Sequence, residues 1–470
     1  MSVKTRIESD FIGEKEIPDG AYYGVQTVRA LENFPITGLK INNDLIRALA
    51  MVKKAAAIAN FEIGELEEEK KDAIVKASEE IIEGELHDQF IVDPIQGGAG
   101  TSINMNGNEV IANRALEILG LEKGDYEFIS PNNHVNMAQS TNDSVPTAIH
   151  IAVIMRAEKL LEVMRDMQAA FSQKAEEFDD VIKMGRTHLQ DAVPIRLGQE
   201  FGAHARVIGR DIARIELSLE HLKEINIGAT AVGTGLNAQP EYIEHVVKIL
   251  SEVSGYELVS AENLVDATQF TDGYVEVSAN LKIAMVNMSK IANDIRMMAS
   301  GPKAGLAEIV LPARQPGSSI MPGKVNPVMP EMINQVAFQV QGNDLTVTLA
   351  SEAGQFELNV MGPVLQYNLL QSIDIMTNAF RSFTDFCLVG IEANRDVMQT
   401  YVDRSLGVIT ALVPHIGYKA SSDIVKDAMK TGKGVRELIL EKGILTENQI
   451  NHVLNAFEMT NIGISELPEE

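Results

Sequence analysis

The chain has 470 residues, 45% hydrophobic and 23% charged, a globular composition long enough for several domains. Asp and Glu total 66 against 40 Lys and Arg, a formal net charge of −26. That balance argues against a nucleic-acid scaffold and against anchoring on an anionic membrane, because both rely on clustered basic side chains. Cys387 is the single cysteine, which rules out an intrachain disulfide and a zinc site of Cys ligands. The N-terminal stretch has no apolar signal-peptide core. No run approaches the ~20 apolar residues of a membrane helix. The expectation is a cytoplasmic protein.

Residues 1–140 read as a mixed, mainly helical region, with short helices over Asp44–Phe61 and Glu65–Glu83 among polar loops. Within it lies QGGAGTSINMN, Gln96–Asn106. Gly97, Gly98 and Gly100 can turn backbone N–H groups toward an anion. The same residues also suit a plain glycine turn capped by Thr101 before a helix. The segment is not a nucleotide P-loop, because the Gly-Lys-Ser/Thr ending is missing.

Residues 141–393 read as a central bundle of long helices, over about Ser144–Glu177, Gln199–Ile225, Thr271–Ser300, Pro330–Leu349 and Val364–Ile391. Ile149, Ala152, Val153, Leu160, Val163, Met164 and Met167 recur mostly at helical spacing. In the third helix, apolar residues from Val275 to Met298 cover most of the circumference, the pattern of a helix buried on nearly all sides. Packing of bundles from several chains would produce it, as would a large monomeric core. Residues 394–470 read as a small helical C-terminal region broken at Gly432, Gly434 and Gly443.

Three polar segments punctuate the bundle. Ser140-Thr-Asn-Asp143 precedes the first long helix. Its residues are good N-caps, and they sit where free N–H groups favour a carboxylate or phosphate. GRTHLQDAVP, Gly185–Pro194, places Thr187 and His188 between a helix end and a proline. His188 is a candidate acid, base or carboxylate ligand, or a structural histidine. RQPGSSIMPGKVNPVMPE, Arg314–Glu331, holds four prolines that forbid a regular element, with Ser318, Ser319, Lys324 and Asn326 between and beyond its glycine pivots. It reads as a loop that brings polar groups over a ligand.

Taken as one site, these segments supply hydroxyls, amides, one lysine and one histidine. Such donors suit a small dicarboxylate. The matching reaction is removal of a proton next to a carboxylate. The doubly negative aci-carboxylate so formed needs dense, preorganised donors, and loss of a group from the neighbouring carbon completes a lyase cycle.

These segments resemble the aspartase/fumarase superfamily. GSSIMPGKVNP (Gly317–Pro327) looks like its signature loop, and GRTHLQDAVP, STND and GTGLN (Gly233–Asn237) are similar to its other motif regions. The resemblance runs from DGAYYGVQT, Asp19–Thr27, to the tail. Thr141 and NPVMPE (Asn326–Glu331) make the chain most similar to the ammonia-lyases of Bacillus type, since class II fumarases usually read SSND and NPTQCE there. The resemblance implies a mainly α, three-domain fold whose central long-helix bundle forms a 20-helix tetramer core. Its active sites are built from three subunits. It implies reversible conversion of L-aspartate to fumarate and ammonia, with Ser318 as the base. Thr101, Ser140, Thr141 and Ser319 would hold the β-carboxylate. Thr187, Lys324 and Asn326 would hold the α-carboxylate, with Asn142 and His188 near the amino group. No cofactor is required by this reading, and Mg²⁺ activation is not legible. The alternatives are a class II fumarate hydratase or a non-catalytic member of the same superfamily.

Overall fold

The computed structural model describes residues 4–468. The chain opens with a hairpin of β1 (Thr5–Asp10) and β2 (Gly13–Pro18). Helices α1 (Val25–Asn33), α2 (Asn43–Glu62), α3 (Glu68–Glu83) and α4 (Thr101–Ile118) follow. Next come the long α5 (Thr141–Glu177), the hairpin β3 (Ile182–Thr187) and β4 (Gln190–Arg196), and α6 (Leu197–His221). Beyond them, β5 (Glu224–Ile225), α7 (Pro240–Ser254), β6 (Val259–Ser260) and α8 (Leu264–Gln269) lead to α9 (Asp272–Met298). Then come β7 (Ile309–Val310), α10 (Val328–Glu352), α11 (Gly362–Phe386) and β8 (Glu392–Ala393). The chain closes with α12 (Arg395–Arg404), α13 (Val413–Thr431), α14 (Val435–Glu441) and α15 (Glu447–Val453). Among the described residues, all four sheets are two-stranded, so the architecture is mainly α as expected. Among the described residues no helix is long and apolar enough to cross a membrane.

The chain divides into two compact units that are discontinuous in sequence. The first holds Met1–Glu162, Ala213–Met285 and Phe338–Thr377, and the second Val163–Ile212, Val286–Ala337 and Asn378–Glu470. Helices α5, α6, α9, α10 and α11 contribute residues to both.

In the first unit, α2 begins where Asn42 Oδ1 accepts the Asp44 N–H at 2.9 Å. Its Leu45, Leu49, Val52 and Ala56 are buried, as are Ile74, Ala77 and Ile81 of α3 and Val110, Ile111 and Leu116 of α4. Arg114 of α4 grips Glu80 of α3 through Nε and Nη2, at 2.6 and 2.9 Å. Arg29 of α1 pins the first hairpin through two 2.8 Å bonds to Asp10.

In the second unit, Phe171 and Phe178 of α5, Phe201 of α6 and Phe383 of α11 form an aromatic core with centroids 5.2 to 6.4 Å apart. Leu412, Ile424, Leu438, Ile439, Ile450 and Val453 form a separate small core in the C-terminal helices. There, α15 starts with a capping box between Thr446 and Gln449.

Within the single chain, helix α9 is buried on one face only. Leu281, Ala284, Met285, Met288, Ile291 and Ile295 face the core, while Ile283, Val286 and Met297 are exposed at 37, 48 and 45%. Exposed Phe338, Leu345 and Leu349 mark a similar face on α10.

Candidate active site

In the first unit the site residues gather at the N-termini of α4 and α5. Thr101 is the first residue of α4, and Gly100 precedes it at φ +95°. A Cβ on Gly100 would lie 2.9 Å from Val145 Cγ1 of α5, so the glycine allows both the left-handed turn and the close approach of the two helix starts. Thr101 does not cap its helix. Its Oγ1 donates to Gly98 O at 2.7 Å, and the residue is exposed. Ser140 does cap α5: its Oγ accepts the Asn142 N–H at 3.1 Å, and Asp143 Oδ1 accepts the Ser140 N–H at 2.9 Å. Capping therefore accounts for two residues of this tetrad. Thr141 Oγ1 instead accepts from Asn104 Nδ2 of α4 at 3.2 Å, and Asn142 Nδ2 donates to Ala231 O at 2.7 Å.

Beneath these hydroxyls lies a buried polar layer that the motif reading missed. Lys53 of α2 is fully buried and donates to Asn104 Oδ1, Asn136 Oδ1 and Gln139 Oε1 at 2.7, 2.9 and 2.9 Å. Burial pushes its pKa down to about 7, against the attraction of Asp143. Asp143 is also buried, and desolvation pushes its carboxyl up to about 7. Its Oδ2 accepts the Gly228 and Thr230 N–H groups at 3.2 and 2.9 Å. Three acceptors around the lysine and three N–H donors around the carboxylate are the partners of two charged groups, and on that geometry we take both as ionised. The sequence signal was a lysine on the same α2 face as Leu45 and Leu49, where only apolar residues belong unless a polar layer receives it.

In the second unit Thr187 and His188 are exposed at the tip of β3–β4 rather than at a helix end. His188 and Leu189 link Thr187 to Gln190 with φ of +56° and +61°. This is a two-residue turn of the kind usually made by Asn-Gly. Its strain is of the sort that collects at functional tips. Behind the tip, Arg186 of β3 donates to the buried Glu308 at 2.8 Å.

The signature loop, also in the second unit, closes on itself. Gly317 N donates to Lys324 O at 2.7 Å, and Asn326 Nδ2 donates to Gly317 O at 2.8 Å. A Cβ on Gly317 would stand 2.7 Å from Lys324 O, so this closure admits only glycine. At the loop's centre, Ser318 Oγ accepts the Ile320 and Met321 N–H groups at 3.2 and 3.0 Å. Ser319 and Lys324 are exposed, and Ser318 and Asn326 are half-buried. A hydroxyl oxygen facing two backbone donors is placed to carry negative charge. Among the described residues no group of three or more His, Cys, Asp or Glu is arranged to hold a metal.

Comparison with known proteins gives a consistent result. A sequence profile described as "Lyase" matches residues 13–342, and one described as "Fumarase C C-terminus" matches residues 408–461. The aspartate ammonia-lyase of Bacillus subtilis is 66% identical over 460 residues, covering 98% of this chain and 97% of that protein. That of Escherichia coli is 49% identical over 458 residues, covering 97 and 96%. Among solved structures, the cobalt-bound fumarate lyase:delta crystallin from Brucella melitensis superposes with a TM-score of 0.95 at 49% identity, covering 97% of this chain and all of that one. The class II fumarase from Schistosoma mansoni gives 0.93 at 36% identity, covering 97 and 99%.

Proposed function

We propose a function from this premise: the chain belongs to the aspartase/fumarase superfamily of lyases. It is a carbon–nitrogen lyase that converts L-aspartate reversibly to fumarate and ammonia. The observation that carries this reading is two-thirds identity over essentially the whole length to the B. subtilis aspartate ammonia-lyase. The direct test is to supply L-aspartate and, separately, L-malate, and to follow fumarate's ultraviolet absorbance. A rise with aspartate, matched by ammonia, is the expected result. A rise with malate alone makes the chain a hydratase.

The residues fit the chemistry as follows. Ser318, as its alkoxide, takes a proton from the β-carbon, and the two N–H groups that already face Oγ stabilise that anion. Removing one such donor costs about 3 kcal/mol in comparable sites. The C–H electron pair moves into the β-carboxylate, making the aci form held by the hydroxyls of Thr101, Ser140, Thr141 and Ser319. Its collapse forms the C=C bond and breaks the C–N bond. An α-ammonium leaves as neutral ammonia, so no separate acid is needed. Thr187, Lys324 and Asn326 hold the α-carboxylate, and Asn142 and His188 face the amino group. The elimination is redox-neutral and needs no redox cofactor. Activation by Mg²⁺ is tested by the rate before and after chelation.

The apolar faces of α9 and α10 support assembly into a tetramer, with each active site built from three subunits. The single, buried Cys387 supports a reducing, cytoplasmic setting. Mixing and reassembling Thr141→Val and Ser318→Ala proteins tests the shared site. Regained activity is expected, and none regained from a mixed tetramer removes the composite site.

A further inference from the structure

Lys53 stands outside every motif, yet it organises the layer under the hydroxyls. An ammonium has three donors and no acceptor, so each partner must turn its carbonyl oxygen toward it. That requirement fixes the orientation of three amides at once. Asn104 offers Oδ1 to Lys53, and the same oxygen accepts from Ser144 Oγ at 3.3 Å. Its Nδ2 must then point the other way, toward Asn136 Oδ1 at 3.1 Å and Thr141 Oγ1 at 3.2 Å. Asn136 is held the same way, with Oδ1 also accepting from Asn108 and Nδ2 donating to Gln139 O, both at 3.1 Å. Gln139 offers Oε1 to Lys53 and spends Nε2 on Val135 O and Met137 O, at 3.1 and 3.2 Å.

The consequence falls on Thr141. A threonine hydroxyl has one proton and two lone pairs. Because Asn104 Nδ2 occupies a lone pair, the proton is free to point out of the protein layer. If Asn104 turned over, its Oδ1 would accept that proton and withdraw it from any ligand.

Resting on the reading of Thr141 as a β-carboxylate donor, we propose that Lys53 is a positioning residue. Through the Asn104 amide it aims the Thr141 hydroxyl at the substrate carboxylate. The surrounding charges agree with this role. Asp143 spends its carboxylate on backbone N–H groups rather than on Lys53, so the lysine's positive charge is not cancelled by a contact ion pair.

The test is a double-mutant cycle on the assembled enzyme, assayed with L-aspartate beside the parent. Lys53→Met is expected to lower kcat/KM by roughly 10–100-fold, the range for losing one well-aimed hydrogen bond to a charged group. KM is expected to rise along with the fall in kcat, whereas a purely structural defect reduces the active fraction and lowers kcat alone. In a Thr141→Val background, Lys53→Met is expected to add less than about threefold, because the hydroxyl it aims is gone. Should Lys53→Met not purify folded, Asn104→Asp takes its place in the same cycle. It keeps an acceptor for Lys53 but cannot donate to Thr141. Wild-type kcat/KM in the single variant, an unchanged KM, or a full loss repeated in the Thr141→Val background overturns the proposal. A parent inactive on L-aspartate overturns the functional reading instead, and the two failures are read from different samples.

Discussion

The hydroxyls at the starts of α4 and α5 and the serine of the signature loop are held by opposite means. Thr141 rests on a buried layer of amides ordered by Lys53, and Ser140 is fixed in a helix cap. Ser318 sits in a loop whose hydrogen bonds run from one loop residue to another, with Ile320, Met321 and Lys324 exposed beside it. The first arrangement is rigid because its donors cannot turn without breaking buried partners. The second takes its local shape from bonds between its own residues rather than from buried partners elsewhere in the chain. The difference teaches that preorganisation is available both from packing and from a loop's own turns, and only the former ties the site to global stability.

The largest expected effect lies in the loop. Ser318→Ala should lower kcat by on the order of 10³-fold or more, the scale of losing a positioned base, with an unchanged melting temperature. Surviving activity would mean that the loop's donors serve another group. Acid offers a perturbation in the second unit that does not touch the loop's own bonds. Burial pushes His204 down to about 4, so the folded protein resists a proton that the unfolded chain accepts near 6.5. Its contribution is present above pH 6.5 and is lost as pH falls toward 4, by no more than about 3 kcal/mol. His204→Phe should flatten that part of the stability–pH curve, measured by denaturant unfolding. An unchanged slope assigns the acid sensitivity to other groups.

Two glycines sharpen the comparison at smaller magnitude. Gly100→Ala forces a Cβ to 2.9 Å from Val145 at a left-handed φ, and should cost about 1–3 kcal/mol of stability together with activity. Gly317→Ala forces a Cβ to 2.7 Å from Lys324 O within the loop, and should lower activity by roughly 10–100-fold while stability stays within about 0.5 kcal/mol. Equal stability losses at the two positions would show that the loop is anchored as firmly as the helix starts.

Much of this molecule was legible from local chemistry. Helical periodicity located the long helices to within a few residues at most ends. The glycines and prolines of 314–331 marked a loop because they forbid helix and strand over any pairing. The Ser140–Asp143 run announced a helix start because a cap needs only its own next three residues. What the sequence hid depends on partners distant along the chain. The β3–β4 hairpin around His188 lacks the Asn-Gly turn signal, and antiparallel pairing rather than local preference brings Ile182 opposite Arg196. Val286 looks like a core residue in periodicity yet lies on an exposed face of the chain, because a helix's pattern does not say which neighbour covers each side. Lys53 reads as one lysine among forty basic residues. Only the meeting of α2 with Asn104, Asn136 and Gln139 makes it a buried ammonium, because desolvating a charge is tolerable only where tertiary structure supplies every hydrogen-bond acceptor it needs.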